Sequence, residues 1–406
     1  MKQHLVVIGN GMAGMRCVEE LLALNPDLYQ ITVFGSEPYG NYNRIMLTPL
    51  LAGSKSLEQI MLHDFAWYEQ HQIRLHCGPA KTVVAIDRQQ KQLVTQDGCI
   101  TGYDRLLIAT GSLPLMPDMP GIDLAGVSGF RSIADVETLI TASSQHQRAV
   151  IVGGGLLGIE AAYALQQRGM SVTILNRAGH LLNRQLDPTA AGFLQKHLEM
   201  LNLSIELNCS VSAIHGCEGR IQQVELDDGR LLAADLLVIA TGIQPNISLA
   251  QASGLICERG IVVNDKLQSS DPAIYAIGEC IEHRGEIFGL VAPVYQQAKL
   301  CAQQLAGQIS AAYRSSVSAT MLKVTGIDLF SLGKIESDPD CQSQIMLDQS
   351  LGIYRKLVFK NQRLIGAILY GDTRHSGYYM KLISQDQAID EFRSQLLFSP
   401  PVQVAA

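Results

Sequence analysis

Two glycine-rich turns constrain this chain more than any other feature. Val6–Gly14 reads VVIGNGMAG and Val150–Glu160 reads VIVGGGLLGIE, aligning Gly9 with Gly153, Gly11 with Gly155 and Gly14 with Gly158. In each, an apolar run suited to a strand buried on both faces leads into G-x-G-x-x-G and then into helical spacing. The first glycine allows the tight turn, the second lets a phosphate approach the backbone, and the third lets helix and strand pack. Met12 and Ala13, like Leu156 and Leu157, open the helix, whose N-terminal N–H groups favour negative charge. Each turn therefore reads as a dinucleotide pyrophosphate site. Two such sites in one chain imply a device for passing electrons between two dinucleotides.

The duplication extends further. Asp104–Gly111 reads DRLLIATG and Asp235–Gly242 reads DLLVIATG, each an apolar strand ending in Ala-Thr-Gly and each followed by proline. Repeated units of this kind define the architecture of a chain. The expected fold class is α/β, with two Rossmann-like dinucleotide-binding domains and a small C-terminal α+β domain. The expected boundaries are residues 1–115 with 243–312 for the first nucleotide domain, 116–242 for the second and 313–406 for the C-terminal domain.

Between the landmarks, Met15–Leu24 predicts a helix ended by Asn25-Pro26, and Ile31–Phe34 a second strand. Glu37 follows Gly14 at the distance where an acid grips an adenosine ribose. Tyr39–Pro49 (YGNYNRIMLTP) reads as an irregular functional loop whose one charge, Arg44, suits a pyrophosphate. Lys55 is a weaker candidate for approaching the redox centre. His63–Gln70 reads as a helix, and His63, His71 and His76 as surface residues. Lys81–Asp87 and Lys91–Gln96 read as paired strands, placing the Val83 backbone within reach of an adenine. In the second unit Glu160 lies on the first helical turn. The following strand, Ser171–Leu175, ends in Asn176-Arg177 in place of an acid. An acid there selects a free 2′-OH and an arginine suits a 2′-phosphate, so this position leaves the nucleotide open. Asp187-Pro188 predicts a helix start, with Asp187 as N-cap. Near the end of the first domain, Gly278-Glu279 closes a strand and a helix opens near Pro293. Past Ala311, LKVTGIDLFSL, YRKLVF and LIGAILY read as antiparallel strands of a domain suited to an interface or to dimerisation.

Composition excludes several classes. The net charge is −7, with no basic run and one tryptophan, which argues against nucleic acid and against a membrane surface. No run of about 18 apolar residues predicts a membrane span. The first residues, MKQH, lead straight to a strand without a leader pattern. The nine cysteines include no C-x-x-C, so neither a dithiol relay nor a cluster of metal-binding thiolates is expected. Scattered free thiols fit the cytoplasm. Only Cys17, in the first helix, and Cys280, beside Glu279, have neighbours that make reactivity conceivable.

Taken together, these motifs resemble the two-dinucleotide flavoprotein reductases of the glutathione-reductase-like class. The resemblance implies FAD on Gly9, Gly11, Met12, Ala13, Gly14, Glu37, Arg44, Val83, Ala109, Thr110, Gly111, Gly278, Glu279 and Pro293. It implies NAD(P)H on Gly153, Gly155, Leu156, Leu157, Gly158, Glu160, Asn176, Arg177 and Gly242, with NADH favoured and NADPH allowed. ITVFGSEPYGNYNRIMLT, NRQLDP, GLVAPVYQQA, LKVTGIDLFS and LIGAILYGDT are similar to the FAD portion of assimilatory nitrite reductase large subunits. They are also similar to the separate flavoproteins that feed assimilatory nitrate reductases. In that family the position of Asn176 often carries an acid or a histidine. Nitrite reductases continue into sirohaem and iron–sulfur domains, for which the scattered cysteines here supply no ligands. The resemblance therefore implies hydride transfer from nicotinamide to flavin, then electron delivery to an acceptor protein. A molybdenum or iron–sulfur nitrate reductase and a rubredoxin-like protein are the expected acceptors, and a homodimer is possible. No side-chain acid, base or nucleophile is required, Glu160 and Lys55 being only weak catalytic candidates. The rivals are a rubredoxin or ferredoxin reductase, an NAD(P)H oxidase and a non-catalytic flavin-binding subunit.

Overall fold

A computed structural model describes residues 2–308, 311–315, 319–322, 324, 326–336, 339–389, 393 and 395–398. Strand β1 (Gln3–Ile8) leads into helix α1 (Met12–Leu24) and strand β2 (Tyr29–Gly35). The same unit recurs as β3 (Arg148–Val152), α2 (Leu156–Gln167) and β4 (Ser171–Asn176). Helices α3 (Pro188–Met200) and α4 (Val291–Leu305) follow. The chain divides into two compact units, residues 1–114 with 243–315 and residues 115–242 with 316–406.

In the first unit β1 lies at the centre of a five-stranded sheet, between β2 and Arg105–Ile108, with Ile274–Ala276 and Arg74–Cys77 at the edges. All four pairings are parallel. A parallel sheet is covered on both faces, so its strands have no polar side. Leu5, Val6 and Val7 and likewise Leu106, Leu107 and Ile108 are completely buried. Each such aliphatic side chain contributes about 1.5–3 kcal/mol on burial. Val83–Asp87, Gln92–Thr95 and Ile100–Gly102 form a separate antiparallel meander. Its third strand was not anticipated from sequence. The short strands after the two Ala-Thr-Gly sequences, Ser112–Pro114 and Ile243–Pro245, pair antiparallel with each other.

In the second unit β3 occupies the same central place, flanked by β4 and Leu236–Ile239, with Leu203–Leu207 and Val127–Ser128 outside. These pairings are again parallel. A five-stranded antiparallel sheet in the same unit runs Thr320–Met321, Leu329–Gly333, Arg363–Tyr370, Ile353–Lys360 and Gln342–Asp348. Phe330, Leu357, Phe359 and Leu369 form its core with Tyr379 of the helix Ser376–Ser384. Of the expected strand LKVTGIDLFSL only the end is strand, as Leu329–Gly333; Thr320–Met321 precedes the stretch, and Gly326 takes φ +85° between the two. Lys323 and Thr325 lie outside the described residues. The edge strand Gln342–Asp348 was missed. Its outward positions are exposed, so it lacks the apolar run that marked its neighbours.

Asp187 joins this sheet to α3. Its Oδ1 caps the helix by accepting from Ala190 N at 3.1 Å, as the sequence predicts. Its Oδ2 accepts from Tyr354 Oη at 2.5 Å and pairs with Lys356 Nζ at 3.1 Å. Lys356 is only 7 % exposed, so its charge depends on this partner. Ser331 Oγ donates to Gln185 O, and Tyr370 Oη to Phe193 O, on either side of the cap.

Asp187→Ala removes both the cap and the partner of a buried ammonium. The expected loss is about 3 kcal/mol of unfolding free energy in urea melts, partly recovered by adding Lys356→Met. A second prediction concerns Asp235, which accepts from the Arg148 guanidinium and from the backbone of Gln147 and Arg148. The Arg148 hydrogen bonds hold its carboxyl down at about 2. A carboxyl depressed in the folded state stabilises above its ordinary pKa and loses that contribution as pH falls through the folded one. Asp235→Asn should therefore cost about 1 kcal/mol at pH 7 after solvent screening. That gap should close between about pH 4 and about pH 2, read as the difference in urea midpoints.

Candidate dinucleotide sites

In the first turn Gly9 has φ +116°, and a Cβ there would lie 2.1 Å from Ala109 O. A Cβ on Gly14 would lie 2.5 Å from Gly9 O. These two positions admit only glycine, because the helix end, the turn and the strand ending at Ile108 are in backbone contact. Gly11 differs: a Cβ there meets nothing within 4 Å. It borders open space in front of an α1 terminus that has no side-chain cap and no acid in its first turn. The N–H groups at Met12 and Ala13 thus face that space, as an anion site requires. Asn10 braces the turn. Its Nδ2 donates to Tyr39 O, its Oδ1 accepts from Tyr68 Oη at 2.6 Å, and its O accepts from Asn41 Nδ2. Burial pushes the Tyr68 phenol well up, so it stays a donor. Asn41 Oδ1 is a buried acceptor without a partner.

The structure brings Glu37 and Arg44 together. Arg44 Nη2 donates to Glu37 Oε1 at 2.6 Å, Tyr42 Oη donates to Glu37 Oε2 at 2.8 Å, and the guanidinium lies 4.9 Å from the Tyr42 ring centroid. Burial opposes the Arg44 charge, but Tyr42, Glu37 and Glu279 hold its pKa above the ordinary value. The segment Tyr39–Pro49 is accordingly not an irregular loop. It contains the strand Asn41–Tyr42 and a 3₁₀ turn Arg44–Met46 capped by Asn43, and it enters a helix at Leu47. Side-chain bonds to Asn10 and Glu37 order it, which local sequence does not reveal.

Gly278, at φ +93°, donates its N–H to Gln297 Oε1 at 2.8 Å, and a Cβ on it would press on Ala13. Glu279 Oε2 accepts from Ser112 Oγ at 2.7 Å. Thr110 Oγ1 donates to Asn246 O, and Gly111 takes φ +68° with open space at its Cβ position. Helix α4 starts without a side-chain cap or an acid in its first turn, with Pro293 buried at its third position. Gln297 is completely buried, donates to Tyr313 Oη and ties α4 to the Gly278 turn. Val83 begins its strand buried, in register with Thr95. Lys55 is exposed and lies in no described side-chain contact.

The second turn repeats the first. A Cβ on Gly153 would lie 2.4 Å from Ala240 O, one on Gly158 would lie 1.9 Å from Gly153 O, and Gly155 again borders open space. Leu156 and Leu157 open α2 without a cap or an acid. Glu160 is the fifth residue of α2, just past its first turn, and is buried. Gly242, at φ +136°, lies beside Thr241, whose Oγ1 donates to Leu115 O. One exchange separates the two turns. Gly9 N bonds Phe34 O and Gly153 N bonds Leu175 O, so Gly35 corresponds to Asn176 and Glu37 to Ala178. In the first unit Asn10 fills the gap beside Gly35. In the second, Asn176 fills the gap beside Gly154. Asn176 Oδ1 accepts from Gly154 N at 3.2 Å and its Nδ2 donates to Ala178 O and His180 O.

Two further expectations need correction. Cys17 and Cys280 are buried at 1 % and 0 % exposure, which closes both to solvent, and burial pushes the Cys280 thiol up to about 11, so Cys280 is no reactive thiolate. The three histidines read as surface residues are half-buried. His63 bonds Glu19 and stacks on Trp67 at 3.8 Å, His71 bonds Trp67 O, and His76 stacks on Phe34. Sequence reasoning also missed Asn10, Asn41, Tyr68, Ser112 and Gln297. Of these, Asn10 (in VVIGNGMAG), Asn41 (in YGNYNRIMLTP) and Gln297 (in GLVAPVYQQA) lay in stretches already singled out, but nothing local marked them as bracing residues. Among the described residues no helix is long and apolar enough to cross a membrane, and no group of three or more His, Cys, Asp or Glu is placed to hold a metal ion.

Residues 3–305 match the pyridine nucleotide-disulphide oxidoreductase family, and residues 319–387 match the rubredoxin NAD+ reductase C-terminal domain. The chain is 42 % identical, over 98 % of its length, to the assimilatory nitrate reductase electron transfer subunit of Bacillus subtilis. It spans about half the length (51 %) of that relative. It is 32 % identical to the benzene 1,2-dioxygenase system ferredoxin–NAD(+) reductase subunit of Pseudomonas putida, covering 89 % of this chain and 87 % of the relative. Among solved structures, NADH:rubredoxin oxidoreductase from Clostridium acetobutylicum superimposes with a TM-score of 0.80 at 26 % identity, over 96 % of this chain and 97 % of the other. Two copies of one turn, in a chain matched along nearly its whole length, lead to one assignment: the chain belongs to the pyridine nucleotide-disulphide oxidoreductase family.

Proposed function

We propose that this protein takes electrons from NAD(P)H and delivers them through FAD to an acceptor protein, as the reductase component of assimilatory nitrate or nitrite reduction. One observation carries the reading: the two turns share a backbone, and the first has a set of charged and polar side chains bonded to one another beside it. Glu37, Arg44, Tyr42, Ser112 and Glu279 suit a resident dinucleotide held permanently, and the second turn suits one that exchanges.

The residues of the first site fit FAD. Gly11 leaves room for a pyrophosphate against the N–H groups of Met12, Ala13 and Gly14, and Arg44 adds a cation beside that turn. Glu37 would accept from an adenosine ribose, the Val83 backbone would meet the adenine, and Ala109, Thr110 and Gly111 would border the cofactor. Glu279, held by Ser112, would accept from a sugar-chain hydroxyl, and Gln297 fixes the turn at Gly278 that carries it. The α4 N-terminus at Pro293 would stabilise negative charge on a flavin ring. FAD, when bound, accepts two electrons together and releases them singly. The protein's own task is geometric: to hold one dinucleotide, admit the other and keep water out.

The division into residues 1–115 with 243–312, 116–242 and 313–406 is part of this proposal, with the last as an interface to an acceptor or to a second copy. So is a cytoplasmic location, which suits nine free cysteines. The acceptor is a molybdenum or iron–sulfur nitrate reductase on the strength of the Bacillus relative. A second reading, a rubredoxin or ferredoxin reductase, is favoured by the C-terminal match and by the Pseudomonas relative.

Anaerobic mixing with NADH or NADPH should bleach the flavin within one turnover. Adding oxidised acceptor should restore its colour at least tenfold faster than air does. Fast oxygen consumption at steady state would point to an oxidase, and an unbleached flavin to a non-catalytic subunit. Substitutions at the two open glycines separate the sites. Gly11→Val and Gly155→Val add side chains where the fold leaves space, with φ of −87° and −83°. Gly11→Val should lower the flavin content of the purified protein about tenfold or more. Gly155→Val should retain flavin, and its reduction by nucleotide should slow by a similar factor.

A further inference from the structure

We infer that the loop of residues 177–185 takes the 2′-phosphate of NADPH, so that NADPH is preferred to NADH. The inference rests on the reading that the Gly153–Gly158 turn holds the nicotinamide dinucleotide, and it reverses the order expected from resemblance alone.

β4 ends in Asn176-Arg177, and Ala178 holds the place that Glu37 holds in the first unit, so no acid is present there to select a free ribose 2′-OH and repel a 2′-phosphate. The Asn176 amide has a structural task. Both Nδ2 hydrogens go to loop carbonyls, at Ala178 (3.1 Å) and His180 (2.8 Å), and Oδ1 takes the Gly154 N–H. Leu182 N in turn donates to Gly154 O at 2.9 Å. The loop is therefore tied to both sides of one turn residue, and its position against the glycine turn is set by backbone bonds.

Its charge is one-sided. Residues 177–185 contain Arg177, His180 and Arg184 and no acid. Arg177 and Arg184 are exposed, and neither has an ion-pair partner among the described residues. The adjacent carboxylates are already occupied. Asp187 is held by Lys356 and Tyr354, and Glu206, in register with Leu175, pairs with Arg230 at 3.1 Å. The first site shows the opposite arrangement, since its arginine is spent on Glu37. Two unpaired guanidinium groups on a loop fixed beside a pyrophosphate turn match a phosphate monoester on the adjoining ribose, which guanidinium binds through paired N–H donors.

The test uses the flavin-loaded full chain. Anaerobic flavin reduction is followed at varied NADPH and NADH, and binding of 2′,5′-ADP and 5′-AMP is measured by calorimetry. NADPH should exceed NADH in kcat/KM by about tenfold or more, and 2′,5′-ADP should bind tighter than 5′-AMP by a similar factor. Arg177→Ala and Arg184→Ala should each cut the NADPH-to-NADH ratio several-fold, mainly through KM, with Arg177→Lys restoring part of it. Ala178→Glu should shift the ratio toward NADH. Flavin content and melting temperature, compared with wild type, identify a variant that has simply misfolded, and the calorimetry on wild type stands without it. A ratio at or below one that the arginine variants leave unmoved would overturn the inference and leave the nucleotide site standing. Failure of both nucleotides to reduce the flavin, with neither adenosine phosphate bound, would overturn the reading of the site as well.

Discussion

At Gly9, Gly14, Gly153 and Gly158 a backbone oxygen lies within 2.5 Å of where a side chain would begin. This contact of helix end, turn and strand is the constraint on which the rest depends. It draws the N-terminus of each helix onto the carboxyl edge of its sheet. There the uncapped N–H groups of α1 and α2 face outward beside Gly11 and Gly155, where no protein atom intervenes. Close packing on one side of the turn and open space on the other together make an anion site from a peptide backbone.

What is built around that common turn differentiates the two sites. In the first, Asn10 packs against Gly35 and bonds the segment that folds back with Glu37 bonded to Tyr42 and Arg44. Pre-paired charges lose little freedom when a ligand arrives, which suits a cofactor that stays. In the second, the amide moves to Asn176 and ties down a short loop whose arginines remain unpaired. A site with free charge on its rim attracts an anionic nucleotide without enclosing it.

The C-terminal sheet is bound into this scheme by Asp187, which caps α3 with one oxygen and meets Tyr354 and Lys356 with the other. The loop from Arg177 thus ends on a residue locked by a buried lysine. The acid that follows the arginines is neutralised by the sheet, so the loop's positive charge is left uncompensated. Fold and electrostatics are coupled here through a single carboxylate.

Much of this was legible in the residues. Strands buried on both faces announce themselves as apolar runs, duplicated glycine spacing reports a duplicated turn, and Asp187-Pro188 reads directly as a helix start, because each depends on neighbours within a few positions. The bracing of Asn10 by Tyr68 and Asn41, the pairing of Ser112 with Glu279, and the hold of Gln297 on Gly278 do not, since their partners are up to 167 residues apart. Burial likewise changed the meaning of Cys17 and Cys280, whose neighbours made reactivity conceivable, and of His63, which was read as a surface residue. The sequence by itself determined that two dinucleotide turns exist and where the chain repeats. Only the tertiary structure decided which charges are spent and which remain free, because a guanidinium or carboxylate is neutralised by whatever folding brings within about 4 Å, and that is a property of three-dimensional neighbours.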